Sequence, residues 1–167
     1  VLGDVTIIDG VGTYTFKDVK ANHTISVTFK NDITSPTLQS VSPQPGEVIL
    51  SSGETFKFTV DAYDAGGLYE LEIDHSLEKY FPEFSVYADE NNPYGTAQDK
   101  TAFDARGVTV TYDAAKQKWV IDFGEKVTGD IISDHQGKIT FYVVIKDLAG
   151  NKFGSMSPPT PENTFAY

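Results

Sequence analysis

The sequence predicts an all-β protein, an antiparallel sandwich of about seven strands, and three observations lead to it. Apolar and polar residues alternate with a period of two through five separate segments. Gly, Pro, Asn and Asp gather between those segments, where the chain must reverse. No stretch sustains a helical period. The one place where a 3.6-residue pattern fits, Ser76 to Phe84, holds Pro82, which removes a backbone donor and allows at most one turn.

In chain order, Leu38 to Val41 is the first strand of the larger part. It meets the reversal Pro43-Gln44-Pro45-Gly46 and is expected to resume at Val48 to Leu50. Glu54 to Tyr63 places Phe56, Phe58, Val60 and Ala62 on one face, with Lys57, Thr59, Asp61 and Tyr63 on the other. In Leu68 to Asp74, Tyr69, Leu71 and Ile73 oppose Glu70, Glu72 and Asp74, which are expected to form a solvated face. Val108, Val110 and Tyr112 alternate with threonines, and Trp119, Ile121 and Phe123 alternate with Lys118, Val120 and Asp122. Ile139, Phe141, Val143 and Ile145 share a face within Lys138 to Asp147, and Lys152 to Met156 follows as a weaker strand.

Between those last two strands stands Asp147-Leu148-Ala149-Gly150-Asn151. An Asp ending a strand accepts hydrogen bonds from amides further on, Gly150 can take a positive φ, and Asn151 tolerates the left-handed region. Each residue therefore has a role in a hairpin turn without any ligand. The competing chemistry is calcium, which takes roughly six to eight oxygens. Asp147 and Asn151 supply two side chains, and Asp61 with Asp64, near another strand end, would add two more if the loops meet. The turn is the expectation, with no cofactor required.

Composition narrows the function. The net charge of −11, with 13 Lys and Arg scattered along 167 residues, leaves no basic stripe, so nucleic acid and anionic membrane surfaces are not expected partners. No apolar run is long enough to span a bilayer as a helix. With no cysteine there is no disulfide, thiolate metal site or cysteine nucleophile. The three histidines, His23, His75 and His135, fall in separate segments without the close pairing of zinc sites. No Gly-x-Ser-x-Gly occurs, and Gly10-Val11-Gly12 is followed by Thr15 where a dinucleotide fingerprint needs glycine. Catalysis is not expected.

Ser35-Pro36-Thr37, Gly53-Glu54-Thr55-Phe56, Val60-Asp61-Ala62-Tyr63-Asp64 and Val144 through Asn151 together resemble a bacterial Ig-like domain. Ahead of them, Tyr14-Thr15-Phe16-Lys17-Asp18-Val19 and Ala21 through Phe29 resemble the end of an internalin-type B repeat. The expected division is residues 1–31, a short β segment from such a repeat, and residues 32–167, an Ig-like β-sandwich, with Asn31 to Pro36 as linker. The resemblance implies a non-catalytic, extracellular module of a secreted or surface-anchored bacterial protein, acting as a spacer, stalk or interaction domain. It also implies neighbouring domains of the same chain as partners. Two alternatives share that location: an accessory, carbohydrate-binding domain of an extracellular protease or glycoside hydrolase, and an adhesin domain that binds a surface protein.

About thirty residues separate the strand ending near Asp74 from the one beginning near Gly107, where connections usually take about four to six. This insertion is too aromatic for simple disorder. Tyr80, Phe81, Phe84, Tyr87 and Tyr94 are the candidate ligand-binding residues, because flat rings bind sugars or proteins at small conformational cost. The competing role is a plug of rings closing the open end of the sandwich.

Overall fold

The computed structural model describes residues 4–8, 11–15, 20–22, 24, 30–46, 51, 53–76, 82–134 and 139–167. The expected strand at Val48 to Leu50, the candidates Tyr80 and Phe81, and His23 and His135 lie outside the described residues. The chain forms two compact units, residues 1–31 and 32–167. In the first, β1 (Asp4–Ile8) and β2 (Val11–Thr15) pair antiparallel, with Asp4 opposite Thr15 and Ile8 opposite Val11.

The second unit is all-β in its layers. One antiparallel sheet has the order β3 (Thr37–Ser42), β4 (Lys57–Tyr63), β8 (Lys118–Asp122), β7 (Thr109–Asp113). The other has the order β10 (Lys152–Phe153), β9 (Thr140–Asp147), β5 (Leu68–His75), β6 (Phe84–Tyr87), and β11 (Thr164–Ala166) also pairs with β9. Strand β4 belongs to one sheet and β5 to the other, so the four residues between them cross the sandwich at its end.

Alternation does the work of closing the core. Phe58, Val60 and Ala62 of β4 point inward and are buried, as are Phe141, Val143 and Ile145 of β9. The Phe58 and Phe141 rings stack across the sheets with centroids 4.5 Å apart. Each such ring, fully buried, contributes about 1.5–3 kcal/mol relative to exposure. Trp119 of β8 is fully buried against Tyr112, and its Nε1–H donates to the Tyr87 carbonyl at 3.1 Å. At the far end of the sequence, Tyr167 exchanges two backbone hydrogen bonds with Ile139 and sets its ring 5.4 Å from that of Phe56.

Three expectations need correction. Tyr69 does not join Leu71 and Ile73 inside: the register of β5 on β9 shifts between Leu68 and Glu70, and that bulge turns Tyr69 outward. Glu70 is not solvated. It is buried, with Lys146 Nζ 2.7 Å from its Oε2 and also bonded to Glu72. Burial opposes the charged form of Glu70, but the Lys146 and Ser85 hydrogen bonds outweigh it and hold the carboxyl below its ordinary range.

The third correction concerns helices. At most one turn was expected, within Ser76 to Phe84, of which residues 77–81 lie outside the described residues; two helices are present elsewhere, α1 (Ala97–Asp104) and α2 (Gly124–Asp134). Helix α1 buries only Phe103, so it has no apolar stripe to read. It is held instead by its ends: Thr96 Oγ1 caps Asp99 N–H, and Lys100 pairs with Asp104 one turn on. Helix α2 packs Val127 into the core, and its Thr128 hydroxyl accepts the Phe56 N–H at 3.0 Å just before β4 begins.

Candidate functional site

The Asp147–Asn151 segment is the turn of the β9–β10 hairpin. Asp147 Oδ1 accepts the Asn151 N–H at 2.8 Å, Gly150 N–H donates to the Asp147 carbonyl at 3.2 Å, and Gly150 has φ +90°. Strand pairing resumes at once, with Lys152 opposite Lys146. The turn is also one wall of a carboxylate cluster. Asp32, Asp64 and Asp147 each place one oxygen within 4.8 Å of the others.

The fold explains why these three meet. Asp147 ends β9, Asp64 opens the crossing from β4 to β5, and Asp32 is the first residue of the second unit. The crossing is fixed at both ends: Gln117 accepts the Asp64 N–H at 2.8 Å and donates to its carbonyl at 2.9 Å, while Leu148 N–H donates to the Gly67 carbonyl at 3.0 Å. Asp64 Oδ1 accepts the Gly66 N–H at 2.7 Å, and Asp32 Oδ2 lies against Gly66, where a Cβ would collide with it. Asp64 is 3% exposed and Asp147 1% exposed. Among the described residues no Lys or Arg pairs with any of the three.

Oxygens of one calcium shell, each about 2.4 Å from the ion, lie at most about 4.8 Å apart, so the spacing suits a hard divalent cation. Asp32, Asp64 and Asp147 would supply carboxylate oxygens. Of the four sequence candidates, the structure brings Asp64 and Asp147 together. Asp61 is not with them: it pairs with Ser40 and lies 3.9 Å from Lys118 Nζ on the strand face. Asn151 acts as a clamp through its amide, Nδ2 donating to Asp147 Oδ2 at 2.7 Å and to the Asp32 carbonyl at 3.3 Å. Asp32 was read as linker. Its position three residues before a Ser-Pro that opens a strand is the only signal available for it.

The aromatic candidates part company. Tyr94 is buried, with its hydroxyl accepting the Val110 N–H at 3.0 Å and its ring 5.4 Å from Phe103. Phe84 is partly buried between Phe103 at 5.2 Å and Phe123 at 6.3 Å. Tyr87 reaches the surface, 5.7 Å from Tyr69. His75 ends β5 fully inside, and burial holds its imidazole below the usual histidine range. No known protein family matches this chain, and no curated protein matches its sequence significantly.

Proposed function

We propose that the chain is a non-catalytic extracellular module, an Ig-like β-sandwich serving as a spacer, stalk or interaction domain of a larger secreted or surface-anchored bacterial protein. The observation that supports this most is the use made of the insertion. Phe84, Tyr94 and Phe103 extend the core, and α1 is joined to it through Phe103. An insertion built this way stiffens a scaffold. The joint from Asn151 Nδ2 to the Asp32 carbonyl adds to it, because it ties the point where the chain enters the unit to the β9–β10 turn. A net charge of −11 favours separation between neighbouring modules of like composition.

The rival reading, an accessory carbohydrate-binding domain, draws on the surface rings Tyr69 and Tyr87. Single-molecule pulling of the chain between marker domains, together with retention on insoluble polysaccharides, separates the two. The spacer reading expects one cooperative unfolding event for residues 32–167 and no retention. A ladder of weak unfolding steps would sink it, and retention on polysaccharide would replace it with the accessory reading.

A further inference from the structure

Four large apolar side chains are exposed among the described residues, and two of them, Tyr69 at 48% and Leu148 at 68%, border one hollow of about 380 Å³. Scattered exposed apolar residues are ordinary, whereas apolar groups on the rim of a concavity are what interfaces use. Tyr87 forms the next wall. Its ring plane is inclined 67° to that of Tyr69, so the pair makes an aromatic corner.

The surroundings hold that corner in place. Asp89 Oδ1 accepts the N–H groups of Asn91 and Asn92, Asn92 Nδ2 donates to the Gly95 carbonyl at 2.7 Å, and the Tyr87 ring lies where a Cβ on Gly95 would collide with it. Preorganised walls bind with little ordering cost.

Charge then selects the occupant. Asp89 is the one acidic or basic residue lining the hollow among the described residues. Two nearby cations are already engaged, Lys146 with Glu70 and Glu72, and Lys100 with Asp104. Burial first, then the charges of Glu70, Tyr69 and Asp99, raise the Tyr87 phenol above its ordinary range, against an opposing contribution from Lys146. Lys100 Nζ lies 5.3 Å from the Tyr94 ring centroid, so this segment already makes a cation–ring contact.

We propose that the hollow receives a lysine or arginine side chain of a protein partner, its cation against the Tyr69 and Tyr87 rings and its N–H donors on Asp89. An anionic group would face the Asp89 carboxylate, and a neutral glycan would leave that charge unanswered. The proposal deepens the interaction half of the function above and rests on the unit being a binding module.

Trp119 is the chain's single tryptophan, and its indole N–H reports on the site because it is bonded to the Tyr87 carbonyl. The ¹⁵N-labelled chain is titrated with a capped heptapeptide alternating glycine with arginine or lysine, with its glutamate counterpart, and with cellohexaose. The expected result is a saturable indole shift with the basic peptide alone. Tyr69→Ser should weaken it about fivefold or more, and Asp89→Asn about threefold. Glu162→Gln, an exposed carboxylate outside the hollow, should leave it unchanged.

Unchanged melting of Tyr69→Ser shows that its effect is on binding, and Asp89→Asn keeps the loop's acceptor as a second variant. No shift, equal weakening by Glu162→Gln, or a shift with cellohexaose alone overturns the proposal. In the first two cases the spacer reading survives. Cleavage of the peptide, seen by mass spectrometry, would sink the binding-module reading and the proposal with it.

Discussion

The Asp147–Asn151 turn and the insertion between β5 and β7 both connect strands, and they are built by opposite means. In the turn, most partners lie within four residues, and Asp147, Gly150 and Asn151 satisfy one another. In the insertion, the residues that face the core find their partners far along the chain: Trp119 reaches Tyr87, Val110 reaches Tyr94, and Phe123 meets Phe84. Local chemistry makes a motif recognisable, while long-range packing makes a segment stable without leaving a pattern in it. The same contrast explains the turn's hidden second face, since what it meets, Asp32 and Asp64, is not local at all.

The sharpest way to break this comparison is Phe103→Ala. If the insertion is core, the substitution costs about 3–5 kcal/mol, read as a lower urea midpoint with unchanged slope. A loss below about 1 kcal/mol would make the insertion a satellite instead. Gly150→Ala comes next. Nothing lies within 4 Å of the added Cβ, so only the positive φ opposes it, and the expected cost is about 1–2 kcal/mol. A neutral result would show that the turn relaxes freely.

Beside the insertion, His75 gives a dependence on pH. Its folded form resists protonation, so the unfolded chain binds the proton more readily. Stability is then full above about pH 7 and falls towards pH 5, by about 1.4 kcal/mol for each unit by which the folded pKa is depressed. His75→Gln should flatten that slope in urea titrations across the range, and an unchanged slope would assign it to other groups.

The smallest effect is expected at the acidic pole, with the opposite sign. Asp64→Asn keeps the acceptor for Gly66 N–H but removes one of three like charges, so in chelator it should stabilise by about 1 kcal/mol. Melting in millimolar calcium against chelator reads the same carboxylates. A rise in wild type that Asp64→Asn abolishes would move the pole from turn chemistry to ion binding.

Most strands were legible because each has one buried face, as β4 shows with Phe58, Val60 and Ala62. Legibility failed where a single residue changed the phase: the bulge at Leu68 and Glu70 reversed the reading of Tyr69 and Glu70. It failed again where an element's stability lies in its ends, as in α1, whose Thr96 cap and lone Phe103 give no period. At the site, Asp147 and Asp64 were legible as strand-end acids. Asp61 was misplaced because strand alternation sends it outward to Lys118, and Asp32 was missed because nothing local binds it to the other two.

The pairing of β11 with the start of β9, and of Tyr167 with Ile139, has a consequence for folding. Phe165 and Tyr167 help fill the core built on Phe58 and Phe141, so a nascent chain lacking them presents those two rings unfinished. Residues 164–167 act as a latch, and a chain that lacks them leaves apolar surface open of the kind that makes partly folded states prone to aggregate.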